Sequence, residues 1–104
     1  MKVIAIGTAV KKITDEERAQ IMPHEAPHTL EMLTHGYIET PYFRADKPGT
    51  VFIMNVDSVE HAKKLTDDME FVKRGVIQYE LIPVGPMKPL GFLIKDFPKH
   101  FSDK

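Results

Sequence analysis

The chain has 104 residues, 42% of them apolar and 28% charged, with a formal net charge of −1; that is enough for one domain with a modest core and too little for two. Lysine and arginine are scattered rather than striped, which argues against a nucleic-acid partner, and no apolar stretch reaches the ~18 residues of a membrane span. Cysteine is absent, which removes disulfides, thiol nucleophiles and thiolate metal sites and suits a cytoplasmic protein.

Met1–Val10 alternates as a strand, with Ile4, Ile6, Thr8 and Val10 on one side and the smaller Val3, Ala5, Gly7 and Ala9 on the other. Gly7 and Ala9 leave room on that second side for a close helix or a ligand cavity. Thr14-Asp15-Glu16-Glu17 is a capping box with acids in the first turn, so a helix begins at Asp15. Pro23 and Pro27 each remove a donor and clash one turn back. They predict a kink, or two short helices over Asp15–Met22 and Pro27–His35, with Gly36 closing the second. On a maintained helix axis Met22, Ala26, Leu30, Leu33 and Tyr37 form an apolar stripe. His24, His28, Glu31 and His35 form a polar one nearly opposite, and Glu25 lies at the apolar margin.

Tyr37–Arg44 reads as a second strand bent at Pro41, and Pro48-Gly49 as a turn. Val51–Val56 is apolar on both sides, with Val51 and Ile53 facing one way and Phe52, Met54 and Val56 the other, so both faces of this strand are expected to be covered. Ser58 caps a sheet-covering helix from Val59 to Lys73 that Gly75 ends. Val76–Ile82 is the last core strand, with Ile77, Tyr79 and Leu81 sharing a face. A proline-spaced connector leads to an apolar extension at about 87–94 and a polar tail at 95–104. The domain is expected to span 1–94.

The order β-α-β-β-α-β is the ferredoxin-like arrangement: an α+β fold with a four-stranded antiparallel sheet and two helices on one face. The apolar set on the other face calls for a cover. Each large side chain buried there contributes ~1.5–3 kcal/mol, and a two-fold homodimer or higher homo-oligomer with sheet against sheet is the simplest arrangement that supplies it.

Particular segments carry a family likeness. They are Met22-Pro23-His24-Glu25, Thr29-Leu30-Glu31-Met32, Gly36-Tyr37-Ile38, Gly49-Thr50-Val51-Phe52-Ile53-Met54, Phe71-Val72-Lys73-Arg74-Gly75-Val76-Ile77 and Glu80-Leu81-Ile82-Pro83-Val84-Gly85-Pro86. Through them the chain resembles the dimeric α+β barrel proteins, and among these the muconolactone isomerase-like proteins. The resemblance implies sheets paired into a barrel, a small-molecule pocket between sheet and helices, and chemistry without a cofactor.

His24-Glu25-Ala26-Pro27-His28 is a literal H-E-x-x-H. The zinc-protease reading needs an intact helix through Pro27, and its histidines project away from the apolar stripe, so that reading is set aside. A metal on the histidine stripe in some other geometry is a further alternative. Glu25 is the stronger candidate: a carboxylate at an apolar margin has a raised pKa and serves as a general base. His28, Tyr42 and Arg44 are the candidate substrate-binding residues, Tyr42 as a donor and Arg44 for an acidic group. The expected function is cofactor-independent, isomerase-like proton transfer on a small organic acid or lactone. The alternative is a non-catalytic small-molecule binder or assembly protein on the same fold.

Overall fold

Local signals in the sequence become seven elements in the computed structural model, which describes residues 1–86. They are β1 (Lys2–Ala9), α1 (Asp15–Thr34), β2 (Ile38–Phe43), β3 (Gly49–Asn55), α2 (Val59–Asp67), α3 (Glu70–Lys73) and β4 (Ile77–Val84). The strands form one sheet in the order β2-β3-β1-β4, and every neighbouring pair is antiparallel. This is the ferredoxin-like arrangement, with the helices over one face. The apolar extension at 87–94 and the tail at 95–104 lie outside the described residues.

The core lies where the inward residues of β1 and β3 meet the helices. Val3, Ala5, Phe52 and Met54 pack with Met32 of α1, Ile38 of β2, Ala62 of α2, and Met69. A smaller cluster of Ile21, Val76 and Ile77, with Ile13 and Phe71 against it, closes the other end. Two helix ends are fixed by Schellman turns. After α1, Gly36 N–H donates to Leu33 O and Tyr37 N–H to Met32 O; after α3, Gly75 and Val76 repeat the pattern on Val72 and Phe71. Both glycines hold positive φ, 78° and 69°, a region glycine enters without a Cβ penalty.

Three expectations are corrected. First, α1 is one unbroken helix of 20 residues with both prolines inside it. Pro23 and Pro27 are exposed, one turn apart on the solvent side, so the carbonyls of Ala19 and Pro23 that lose their donors are placed to take water instead. Second, the buried positions of α1 are Ile21, Glu25 and Met32. Met22 and Leu30, expected in the apolar stripe, are 42% and 64% exposed. The helix has turned its richer apolar side toward one end of the sheet and placed an acid in the core. Third, the Val59–Lys73 helix is two helices, parted at Asp68 and Met69. Met69 takes extended backbone there and its side chain is buried in the core.

A register shift in β2 matters for the site. Ile38 pairs with Met54, but Thr40 pairs with Ile53 and Tyr42 with Val51. Simple alternation would put Tyr42 on the same face as Ile38. The bulge moves Tyr42 to the outward face and brings Pro41 and Phe43 to the helix side.

Candidate active site

Among the described residues, one end of the sheet has no helix seated tightly on it. Where β1 and β2 finish and β3 and β4 begin, a cleft of about 930 Å³ opens between α1 and the sheet, lined mostly by apolar side chains. Glu25 is its buried acid, brought there because α1 aims Ile21, Glu25 and Met32 inward. Glu25 is only 7% exposed. Its Oε2 accepts the Phe71 backbone N–H at 2.9 Å, which ties α1 to the first turn of α3. Its Oε1 is buried and accepts no hydrogen bond from the described residues. Desolvation pushes the Glu25 pKa above the ordinary carboxyl value; the Phe71 N–H and then His28 pull it partly back.

The polar counterpart of Glu25 is on the sheet. Thr50, Gly7 and Tyr79 form one cross-strand row, since Gly7 pairs with Thr50 on one side and with Tyr79 on the other. With no side chain at the centre of the row, the Tyr79 ring lies over Gly7. Its hydroxyl meets Thr50 Oγ1 at 2.7 Å, and Phe52 stacks on the ring with centroids 5.8 Å apart. Burial, with Glu25 nearby adding to it, pushes the Tyr79 hydroxyl up to about 12 against the opposing Thr50 bond. The Tyr79 hydroxyl therefore keeps its proton across the physiological range.

Three of the four candidate residues border the cleft: Glu25 within it, and Tyr42 and Arg44 at its rim. Tyr42 is 56% exposed and belongs by register to the outward face. The Arg44 guanidinium is already engaged. It grips Asp46 through Nε–Oδ1 at 2.9 Å and Nη2–Oδ2 at 2.7 Å, and Nη1 donates to Thr8 Oγ1 at 2.8 Å. That pairing holds the Asp46 carboxyl down at about 2. His28 is half-buried and does not line the cleft, and its Nε2 is enclosed without a partner among the described residues. Sequence reasoning missed the Thr50–Tyr79 pair, because Tyr79 reads as an ordinary core residue. Gly7 in the middle of a central strand was the available signal.

The H-E-x-x-H segment does sit on an intact helix, which removes one of the two grounds on which the zinc reading was set aside. Zinc fares no better for it. Glu25 points into the core, and among the described residues no three histidine or acidic side chains are grouped to hold a metal. No helix among them is long and apolar enough to cross a membrane.

No family model matches the chain, and no curated protein matches it by sequence. Among solved structures, it is similar in fold to the 5-chloro-2-hydroxyhydroquinone dehydrochlorinase of Burkholderia phenoliruptrix AC1100, solved in complex with 2,5-dihydroxybenzoquinone. The TM-score is 0.67 at 12% identity, over 86% of this chain and 98% of that one. At that identity the likeness establishes the shared fold.

Proposed function

We propose that the chain is a small cofactor-independent enzyme of the muconolactone isomerase-like type, moving a proton within a small unsaturated acid or lactone. The observation that carries this reading is Glu25, a buried carboxyl in the wall of an apolar cleft, with one oxygen unbonded among the described residues. A carboxylate held above its ordinary pKa is a stronger base than a solvated one, which suits abstraction of a proton beside a carbonyl. The C–H bond breaks toward Glu25, and its electron pair passes through the conjugated system to the carbonyl oxygen. Return of the same proton to a different carbon sends the electrons back and frees the carboxylate. Nothing is gained or lost overall. Tyr42 and Arg44 meet the substrate at the rim, and His28 backs Glu25 from outside the cleft. The similar fold of an enzyme whose structure holds a flat oxygenated ring supports a ligand of that size and shape.

The working assembly in this reading is a homodimer. Ile4, Ile6, Val51 and Ile53 on the outward face are only partly covered within one chain, and a second sheet placed there would bury them. Light scattering on a sizing column is expected to give twice the chain mass or a multiple of it. Unsaturated lactones and phenolic acids screened against wild type are expected to yield a turned-over compound, and Glu25→Gln is expected to slow it by roughly 10²–10⁴-fold. A variant as fast as wild type would remove Glu25 from the chemistry. A clean monomer would remove the dimer.

A further inference from the structure

We propose that Tyr79 and Thr50 act together as the hydrogen-bond donor of the cleft, holding the oxygen of a flat unsaturated carbonyl ligand opposite Glu25. The inference rests on the cleft being a ligand site, as argued above, and adds where the ligand's oxygen sits and which groups hold it.

Counting protons gives the first argument. Two hydroxyls carry two protons, and their bond at 2.7 Å uses one, whichever of them donates. Neither hydroxyl has another partner among the described residues, so one proton stays free on the pair. Both residues line the cleft, so that proton is offered to whatever enters it. A donor at a ligand-sized opening whose proton is not spent on the described residues is the group an incoming acceptor would engage.

Rigidity gives the second. Gly7 beneath the ring, Phe52 stacked on it and Thr50 at its tip fix Tyr79 in three directions. A donor held this way loses little entropy when it engages an acceptor. The arginine at the rim is committed to Asp46, so charge capture there is already partly spent and the pair is the free donor deeper in the cleft. Its partners set the ligand class. Apolar walls exclude a polyanion, and a carbonyl or enol oxygen is the acceptor that matches a neutral hydroxyl. In the proton transfer proposed above, charge develops on that oxygen as Glu25 takes the proton, so the same donor would strengthen its bond as the reaction proceeds.

The test uses coumarin, a neutral, flat, unsaturated lactone, as the probe, followed through its near-ultraviolet absorption, with the full chain as wild type, Tyr79→Phe, Thr50→Val, the double variant and Glu25→Gln. Melting curves confirm that each is folded. Binding to wild type is expected to shift the probe's spectrum. The double variant is expected to bind roughly tenfold more weakly, the loss of about one hydrogen bond to a charged or strongly polar oxygen, and to lose the shift. Each single variant leaves one hydroxyl with its proton free and is expected to lose less. A double variant that binds with wild-type affinity, or binds weakly with the shift intact, overturns the donor pair while leaving the cleft as a ligand site. A wild type that does not bind, alongside an unshifted spectrum for every variant, overturns the ligand site itself and the donor pair with it.

Discussion

Replacing Gly7 by alanine tests whether the cleft is built around the Tyr79 ring. A Cβ at position 7 would lie 2.7 Å from Tyr79 Cε1, 2.8 Å from Cζ and 3.1 Å from Ile77 Cγ2, whereas carbon atoms in contact sit ~3.5–4.0 Å apart. The ring has to lift by close to an ångström. Its hydroxyl is held at 2.7 Å from Thr50 and its face is stacked on Phe52, so the movement either compresses the core, at ~1–3 kcal/mol, or breaks the hydroxyl pair, at ~0.5–1.5 kcal/mol. Against this, alanine restricts the unfolded chain and returns ~0.4–1 kcal/mol. The net expectation is a loss of about 1–2 kcal/mol, and for a domain of this size a fall in Tm of roughly 4–16 °C. The assay is a double-mutant cycle by urea denaturation, with Tyr79→Leu as the second substitution. Without a ring over position 7, Gly7→Ala is expected to be neutral or slightly stabilising. An equal cost of Gly7→Ala in both backgrounds would refute the reasoning, because the penalty would then come from the strand backbone and not from the ring.

Two further outcomes follow from the titrating groups. The folded-state pKa of Glu25 is raised, with burial the first cause, so its contribution to stability is whole below the ordinary carboxyl range and is lost as pH rises through the raised value. Glu25→Gln keeps an acceptor for the Phe71 N–H and carries no charge, so its stability relative to wild type is expected to grow from pH 4 to pH 8 in denaturation midpoints; a difference that is flat or shrinks over that range would show that burial does not dominate at this site. Asp46 shifts the other way, down to about 2 through the side-chain bond from Arg44, so what its charge contributes is present above the ordinary carboxyl range and is lost only as pH falls through about 2. An NMR titration of the Asp46 carboxyl is expected to return to the ordinary range in Arg44→Gln; an unmoved midpoint would place the cause elsewhere in the turn.

Much of the fold is written in local patterns. The capping box at Thr14 forms as the spacing requires, with Glu17 N–H on Thr14 Oγ1 at 3.1 Å. Alternation in β1 and β4 sorts inward from outward residues correctly, and the two helix-ending glycines stand where helices stop. The site is less legible because it depends on rotation and register, which neighbours decide. Proline's local cost argued for breaking α1, but packing along Ile21, Glu25 and Met32 carries one helix through both prolines. Glu25 is therefore in the core and not at its margin. The face Tyr42 takes depends on a bulge in β2, which no pattern in the sequence announces. The Thr50–Tyr79 pair joins residues 29 positions apart across an intervening strand, and no window on the sequence holds both.

The features that work against stability are not spread evenly through the domain. At the far end of the sheet, around Val3, Met54 and Ile38, the side chains are apolar and fully buried, as an unconstrained core would have them. The costs collect at the end with the cleft. Among the described residues the two buried polar side-chain atoms without partners, Glu25 Oε1 and His28 Nε2, are one helical turn apart beside it, and each such atom costs ~1–3 kcal/mol. The helix that carries them runs through two prolines, where an interior proline typically costs ~3 kcal/mol. Phe43 stands 89% exposed at the cleft mouth, and a glycine in a central strand gives up side-chain packing to let one ring lie flat. Local rules broken together in one place, while the rest of the fold obeys them, are the usual mark of a site kept for function. The same placement separates roles within the cleft. The acid comes from a helix and the hydroxyl donors from two strands of the sheet, so a ligand between them touches both layers. In the proposed reaction the base and the donor would thus stand on opposite sides of one molecule, the arrangement a proton transfer across a conjugated system needs.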